Sequence, residues 1–252
     1  MTALLAGKRA AVTGGANGIG AAIVRELADA GADRGAVLDL PSAFGTSAPP
    51  EGWVEIPVDL RDDASTRGAF DEARTTLERI DVLVAAAGIV PGWTGINELN
   101  PDEWDEVFRV NARGVMRTIQ EGRIGMGEGG AIVVIASQNA WRGNEHLASY
   151  TASKHAALGL VRSVALELGP HGIRVNAIGP GSVATDAYVG RLRRRESEGG
   201  ATVEQALAGE GRQTTLMRLT TVEDVARATI FLASDLASGV AGHVLPVGPA
   251  TR

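Results

Sequence analysis

Seven short apolar runs, four to six residues long, recur at residues 9–13, 35–38, 54–58, 82–86, 131–136, 174–178 and 244–247. Longer segments of helical period separate them, near 19–30, 62–78, 101–121, 149–168 and 222–233. Strands that are apolar on both faces need cover on both, and strands alternating with helices pair in parallel through crossovers. The alternation predicts an α/β fold with one doubly wound, seven-stranded parallel sheet and helices on both faces. No repeat or linker divides it, so 1–252 reads as a single domain. Two stretches break the rhythm. Residues 41–52 are rich in Pro, Ser and Gly and read as a surface loop. Residues 186–215 form a long insertion after a strand end, expected to hold one or two mobile helices and to serve as a lid.

Composition excludes several chemistries. The chain has no cysteine, so it has no disulfides, thiolate nucleophile or Cys-ligated zinc. Its four histidines, His146, His155, His171 and His243, are scattered and form no metal-ligand pattern, so no metal is expected. A net charge of −6 argues against a nucleic-acid partner. The longest clean apolar run, residues 131–136, is too short to span a bilayer, and residues 1–11 lack a signal-peptide core. The expectation is a cytoplasmic protein with no membrane partner.

In open α/β sheets, ligands collect at the carboxyl ends of the strands. After the first strand the chain reads Thr13-Gly14-Gly15-Ala16-Asn17-Gly18-Ile19-Gly20. Glycines at 14, 18 and 20 let the backbone approach a pyrophosphate, and the following helix N-terminus offers unpaired N–H donors. A tight strand-to-helix turn also needs glycine, so the loop alone does not decide the matter. Asp39, followed by Leu40, falls at the carboxyl end of the second strand. A carboxylate there can accept both ribose hydroxyls and repels a 2′-phosphate, which favours NAD over NADP. A loop-capping aspartate is the plainer alternative. Arg34 lies at the far end of that strand, poorly placed to receive a 2′-phosphate.

Tyr150 and Lys154 stand four apart on a predicted helix, with Ser137 at the end of the fifth strand. Residues at that spacing share a helix face, so an ammonium can lie beside the phenol and stabilise its deprotonated form. The chain has two tyrosines, and of its 24 Lys and Arg residues only Lys8 and Lys154 are lysine. A compact ammonium of adjustable pKa has been kept where a planar guanidinium would not substitute. An exposed helix pair is the alternative. Against it, Gly14, Asp39, Asp59, Gly88, Ser137 and Pro180-Gly181 all fall at strand ends and converge with this pair on one rim.

Together these residues resemble the short-chain dehydrogenases/reductases, in the form with a Thr-Gly-x-x-x-Gly-x-Gly loop. The resemblance runs from Gly7 to about Val247 and includes Asp59-Leu60, Asn111, Ser137, Tyr150-x-x-x-Lys154, Pro180-Gly181 and Thr185. It implies a single-domain Rossmann fold and an NAD(P)-dependent oxidoreductase, usually a homotetramer or homodimer. It implies an Asn-Ser-Tyr-Lys set made of Asn111, Ser137, Tyr150 and Lys154. Tyr150 would be the general base in alcohol oxidation, Ser137 would bind the substrate oxygen, Lys154 would also hold the nicotinamide ribose, and Asn111 would seat a relay water. Asn111 has a plainer reading as a buried amide bracing its helix.

By the same resemblance Asp59 touches the adenine, Gly88 the adenosine ribose, and Val183 and Thr185 the nicotinamide carboxamide, with Ala87 also counted at the cofactor. Asp59 as a turn residue and Thr185 as a helix cap are the plainer readings. The usual Asn-Asn-Ala-Gly is Ala85-Ala86-Ala87-Gly88 here, and the usual Asp-Gly-Gly near the end is Val247-Gly248-Pro249-Ala250. Related enoyl reductases place lysine seven residues after the tyrosine, where this chain has Ala157. Candidate substrate residues are Gln138, Asn139, Trp141, Asn144 and His146, with Pro91 and Trp93. The arginines at 191, 193, 194 and 195 read first as a solvated helix face and second as an anion clamp. The expectation is an NAD-dependent interconversion of a secondary alcohol and a ketone, with an NADP-dependent carbonyl reductase or a non-catalytic cofactor-binding protein as alternatives.

Overall fold

The structure is a computed structural model that describes residues 3–45 and 48–248. Its strands are β1 (Arg9–Thr13), β2 (Arg34–Asp39), β3 (Trp53–Pro57), β4 (Val82–Ala85), β5 (Ala131–Ile135), β6 (Arg174–Pro180) and β7 (Val244–Val247). They form one sheet in the order β3-β2-β1-β4-β5-β6-β7, and every pairing is parallel. The order reverses direction between β1 and β4. That switch point opens a crevice at the strands' carboxyl ends.

Eight helices belong to the described residues: α1 (Gly18–Asp29), α2 (Asp63–Leu77), α3 (Pro101–Phe108), α4 (Val115–Gly122), α5 (Ala148–Leu168), α6 (Asp186–Ser197), α7 (Val203–Arg212) and α8 (Val222–Ala233). On one face Ile23 and Leu27 of α1 and Val225 and Ile230 of α8 pack over Val12, Val84 and Val133. On the other, Phe70 and Leu77 of α2, Ile119 of α4, and Leu158 and Val161 of α5 pack over Leu83, Ile132 and Val134. Every residue of β5 is buried, which explains its unbroken apolar run.

Helix starts follow local chemistry. The Asp62 carboxylate accepts from the Ala64 and Ser65 amides at the head of α2. Thr202 with Gln205 and Thr221 with Asp224 form reciprocal capping boxes for α7 and α8. Arg174, at the start of β6, donates to the carbonyls of Leu232, Ala233 and Ser234, satisfying the open end of α8.

The single helix expected over 101–121 is instead two helices joined by a π-helical turn, Arg109–Gly114. Asn111 sits in that turn, fully buried. Its Oδ1 accepts from the Ile89 amide at 2.8 Å, and its Nδ2 donates to the Ile89 carbonyl at 2.8 Å and to Ser153 Oγ at 3.2 Å. The widened turn lets one side chain reach the chain after β4 and α5 together, a role invisible to helical periodicity.

At the first departure from the family pattern, Ala86 joins the apolar packing. Of the second departure, Val247 and Gly248 are described, and Val247 accepts from the Gly181 amide at 2.9 Å. Pro249 and Ala250 lie outside the described residues.

Candidate active site

The crevice is a cleft of about 1090 Å³, walled by the ends of β1, β2, β4, β5 and β6 and roofed by α6 and α7. Every residue expected at a cofactor lines it, from Gly14, Asn17, Gly18, Ile19 and Gly20 through Asp39, Leu40, Asp59, Leu60, Ala87 and Gly88 to Pro180, Gly181, Val183 and Thr185. Ser137, Tyr150 and Lys154 line it as well. Asn111 stands one layer behind this wall.

The floor is shaped by close backbone approach. Gly14 adopts φ +69°, and a Cβ there would lie 2.6 Å from the Ala87 Cα and backbone nitrogen. Gly18 also has positive φ, +54°, but a Cβ there would meet only Thr185 Cγ2, at 3.5 Å across the cleft. The first residue ties the turn to β4, and the second keeps the cradle open. Asn17, at the N-cap of α1, gives its side chain to the Ala43 carbonyl rather than to the helix, and the first turn carries no carboxylate. The leading N–H groups of α1 are therefore not capped by a side chain, which fits a pyrophosphate. A dinucleotide fits this shape and this donor set.

Asp39 presents its carboxylate at the end of β2, where it accepts from the Ala16 amide at 3.0 Å and the Leu40 amide at 2.8 Å. Arg34 is turned to the opposite end, donating to the Thr76 carbonyl at 2.6 Å and pairing with Glu78. Asp59 is gripped by a residue the sequence reading missed. Arg61 donates to it through Nε and Nη2 at 2.7–3.0 Å and also meets Glu106. The Arg61 hydrogen bond holds the Asp59 carboxyl below the usual range. Asp59 also shapes the turn into α2, and Thr185 caps α6 by accepting from the Tyr188 amide at 3.3 Å. Each thus carries its plainer role while facing the cleft.

At the other end Ser137 and Tyr150 stand together in the cleft, and Ser137 Oγ accepts from the Asn139 amide at 3.1 Å. Burial pushes the Tyr150 phenol up, and two groups oppose that: the Ser137 hydroxyl and the positive charge of Arg191. Lys154, expected as the phenol's partner cation, departs from that expectation. Its ammonium lies 5.7 Å from the Tyr150 ring centroid and donates to the Ile135 carbonyl at 3.0 Å. Burial without a counter-ion pushes Lys154 down to about 8. The helix spacing put both groups on one face, but the end of β5 offered the ammonium a carbonyl first.

The substrate candidates divide. Gln138, Asn139, Asn144 and Trp93 line the cleft; Trp141, His146 and Pro91 do not. Trp141 is turned into the sheet, its ring occupying the space above Gly179, where a Cβ would lie 2.3 Å from Cη2. His146 is exposed at the mouth, its backbone carbonyl accepting from Thr94 at 2.8 Å and its ring 3.2 Å from Glu145. An aromatic or histidine near the tyrosine has no periodicity that reveals which way it faces.

Residues 186–215 hold α6 and α7, and their arginines are not all solvated. Arg193 and Arg194 are exposed, but Arg191 projects into the cleft with its guanidinium carbon 4.0 Å from the Trp93 ring centroid.

A family profile described as enoyl-(acyl carrier protein) reductase matches residues 14–248, from the glycine turn to just past β7. The chain belongs to the short-chain dehydrogenases/reductases. This dehydrogenase/reductase is 37% identical over 255 residues to a (+)-cis,trans-nepetalactol synthase of Nepeta racemosa, covering 96% of this chain and 92% of the relative. It is 36% identical over 254 residues to a mitochondrial (−)-isopiperitenol/(−)-carveol dehydrogenase of Mentha piperita, again covering 96% and 92%. Aldohexose dehydrogenase of Thermoplasma acidophilum shares the fold with a TM-score of 0.84 at 29% identity, over 98% of this chain and 94% of that one. The family is one of nicotinamide-dependent oxidoreductases acting on CH–OH groups. No helix among the described residues of this dehydrogenase/reductase is long and apolar enough to cross a membrane.

Proposed function

We propose that this short-chain dehydrogenase/reductase oxidises a ring-borne secondary alcohol to a ketone, and catalyses the reverse, with NAD. The observation that carries the reading is the convergence of Ser137, Tyr150 and Lys154 on the one cleft that the glycine turn and Asp39 share. Relatives named for carveol and aldohexose, whose hydroxyls sit on rings, support the substrate class.

Bound NAD supplies the hydride acceptor at its nicotinamide. The α1 N-terminus and Gly18 would hold its pyrophosphate, Asp39 its adenosine ribose, Asp59 its adenine, and Val183 and Thr185 its carboxamide. Tyr150 takes the hydroxyl proton in oxidation and returns it in reduction. Ser137 donates to the substrate oxygen and steadies the charge that develops there. Lys154, which now donates to the Ile135 carbonyl, would hold the nicotinamide ribose. Its low pKa keeps it able to move a proton near neutral pH. The Asn111 amide is already committed to Ile89 and Ser153, so the relay water is best seated on a backbone carbonyl of the π-helical turn.

Asp39 with Leu40 at the tip of β2 supports NAD, because a carboxylate there would repel a 2′-phosphate and Arg34 is held at the opposite end of the strand. Double-bond reduction is disfavoured by Ala157 in place of the later lysine, whatever the name of the matching profile. The paired helices α6 and α7 act as a lid over the substrate end. Assembly as a homodimer or homotetramer belongs to the same reading, supported by Leu166, an exposed apolar residue on α5.

Replacing Tyr150 with Phe removes the proton acceptor and little else. Turnover of secondary alcohols should fall by about 10²–10⁴-fold, while NADH still quenches tryptophan fluorescence at the wild-type concentration. Undiminished turnover in that variant would refute the mechanism.

A further inference from the structure

Arg191 carries an unspent charge. Its Nε and Nη2 are shielded from solvent and have no hydrogen-bond partner among the described residues. Those two nitrogens form one edge of the guanidinium, the fork that matches a carboxylate with two parallel N–H···O bonds. Its carbon lies 4.0 Å from the Trp93 ring centroid and 6.0 Å from that of Tyr188. The aromatic rings attract the cation without engaging its edge. Among the described residues no carboxylate forms an ion pair with it, and Glu210, whose charge acts on it, accepts the Tyr188 hydroxyl. A charged donor held out of water without a partner is costly, and such groups concentrate where a ligand completes them. Burial lowers the guanidinium's pKa, in keeping with that missing counter-ion.

Position narrows the ligand. Arg191 stands on the substrate side, between Trp93 and Tyr150, and its charge acts on the Tyr150 phenol. Asp186 and Glu210 line the same end of the cleft, opposed by Arg191 and Arg195.

We infer that the substrate is a hydroxy acid whose carboxylate is received side-on by Nε and Nη2 of Arg191 while its carbinol faces Tyr150. The inference rests on reading this cleft as the seat of alcohol oxidation. It goes further than the relatives, whose names specify no acid.

Two arms test it. In the first, cyclohexanecarboxylate and cyclohexanecarboxamide are titrated calorimetrically into the protein, with and without NADH. The carboxylate should bind about 10–100-fold more tightly than the amide. Arg191→Met, which keeps the stem beside Trp93, should erase that preference, and Arg191→Lys should restore part of it. In the second, kcat/KM is compared for 4-hydroxycyclohexanecarboxylate and its methyl ester. The acid-to-ester ratio should fall about 10–100-fold in Arg191→Met, through KM. Equal binding of acid and amide, or a preference that survives Arg191→Met, overturns the inference. So does a larger rise in KM for NAD than for the alcohol, which would assign the guanidinium to a cofactor phosphate. Turnover of neutral alcohols without any acid preference removes the inference and leaves the dehydrogenase reading standing. A calorimetric preference in a protein that oxidises none of these alcohols does the reverse.

Discussion

Lys154 is buried at the foot of the cleft with a carbonyl, not a carboxylate, for company. Its pKa in the folded chain is pushed down to about 8 from an ordinary 10.5. A lowered base costs stability wherever both folded and unfolded states are protonated. The cost is therefore full below pH 8, lifts between the two values, and is gone above the unfolded one. The shift corresponds to about 3 kcal/mol, and losing the bond to Ile135 returns about 1 kcal/mol of that. Lys154→Met should then melt higher than the wild-type apoprotein at pH 7, by about 5 °C, while losing turnover. The gap should close as pH rises to 10. A gap that widens with pH, or a wild type that melts higher at neutrality, would show that the ammonium is not desolvated. The residue proposed to serve the chemistry would then be a liability to the fold.

The glycine turn between β1 and α1 separates two demands at element scale. At Gly14 both the positive φ and the 2.6 Å approach to Ala87 forbid a side chain. Gly14→Ala should destabilise the protein by about 2–4 kcal/mol, read as a lower midpoint in urea. At Gly18 the space is open to Thr185, so Gly18→Ala should cost about 1–2 kcal/mol for its backbone conformation and weaken NADH binding more than it lowers the midpoint. If both substitutions act alike on stability and binding, the turn does not divide its roles this way. The π-helical turn around Asn111 shows the same economy: one irregularity ties α3, α4, α5 and the segment after β4 together.

For the whole molecule, the cleft is built from strand ends that lie far apart in sequence, so a dinucleotide bound there would touch several elements at once. A ligand that binds the folded chain alone, at 100 times its dissociation constant, adds about 2.7 kcal/mol. NADH at that level should raise the melting midpoint by about 5–10 °C. On the proposed NAD preference, NADPH at the same concentration should raise it far less, because the Asp39 carboxylate would repel the 2′-phosphate. Equal or greater stabilisation by NADPH would reverse the cofactor assignment. Alternating apolar runs were enough to specify seven parallel strands, since each run buried on both faces has few ways to be covered. That the glycines, Asp39, Ser137, Tyr150 and Lys154 line one cleft was legible because each stands at a strand end or at a fixed helical spacing along the chain. Three features were not: the Asn111 turn, the inward rotation of Trp141, and the carbonyl that claims Lys154. Arg191 completes the contrast. In sequence it is one arginine in a run that periodicity assigns to solvent, and only the packing of α6 over Trp93 turns its unpaired edge inward. Local pattern determines which elements form and what each could contribute, but the direction a side chain faces is set by neighbours distant in sequence, and only the folded chain brings those together.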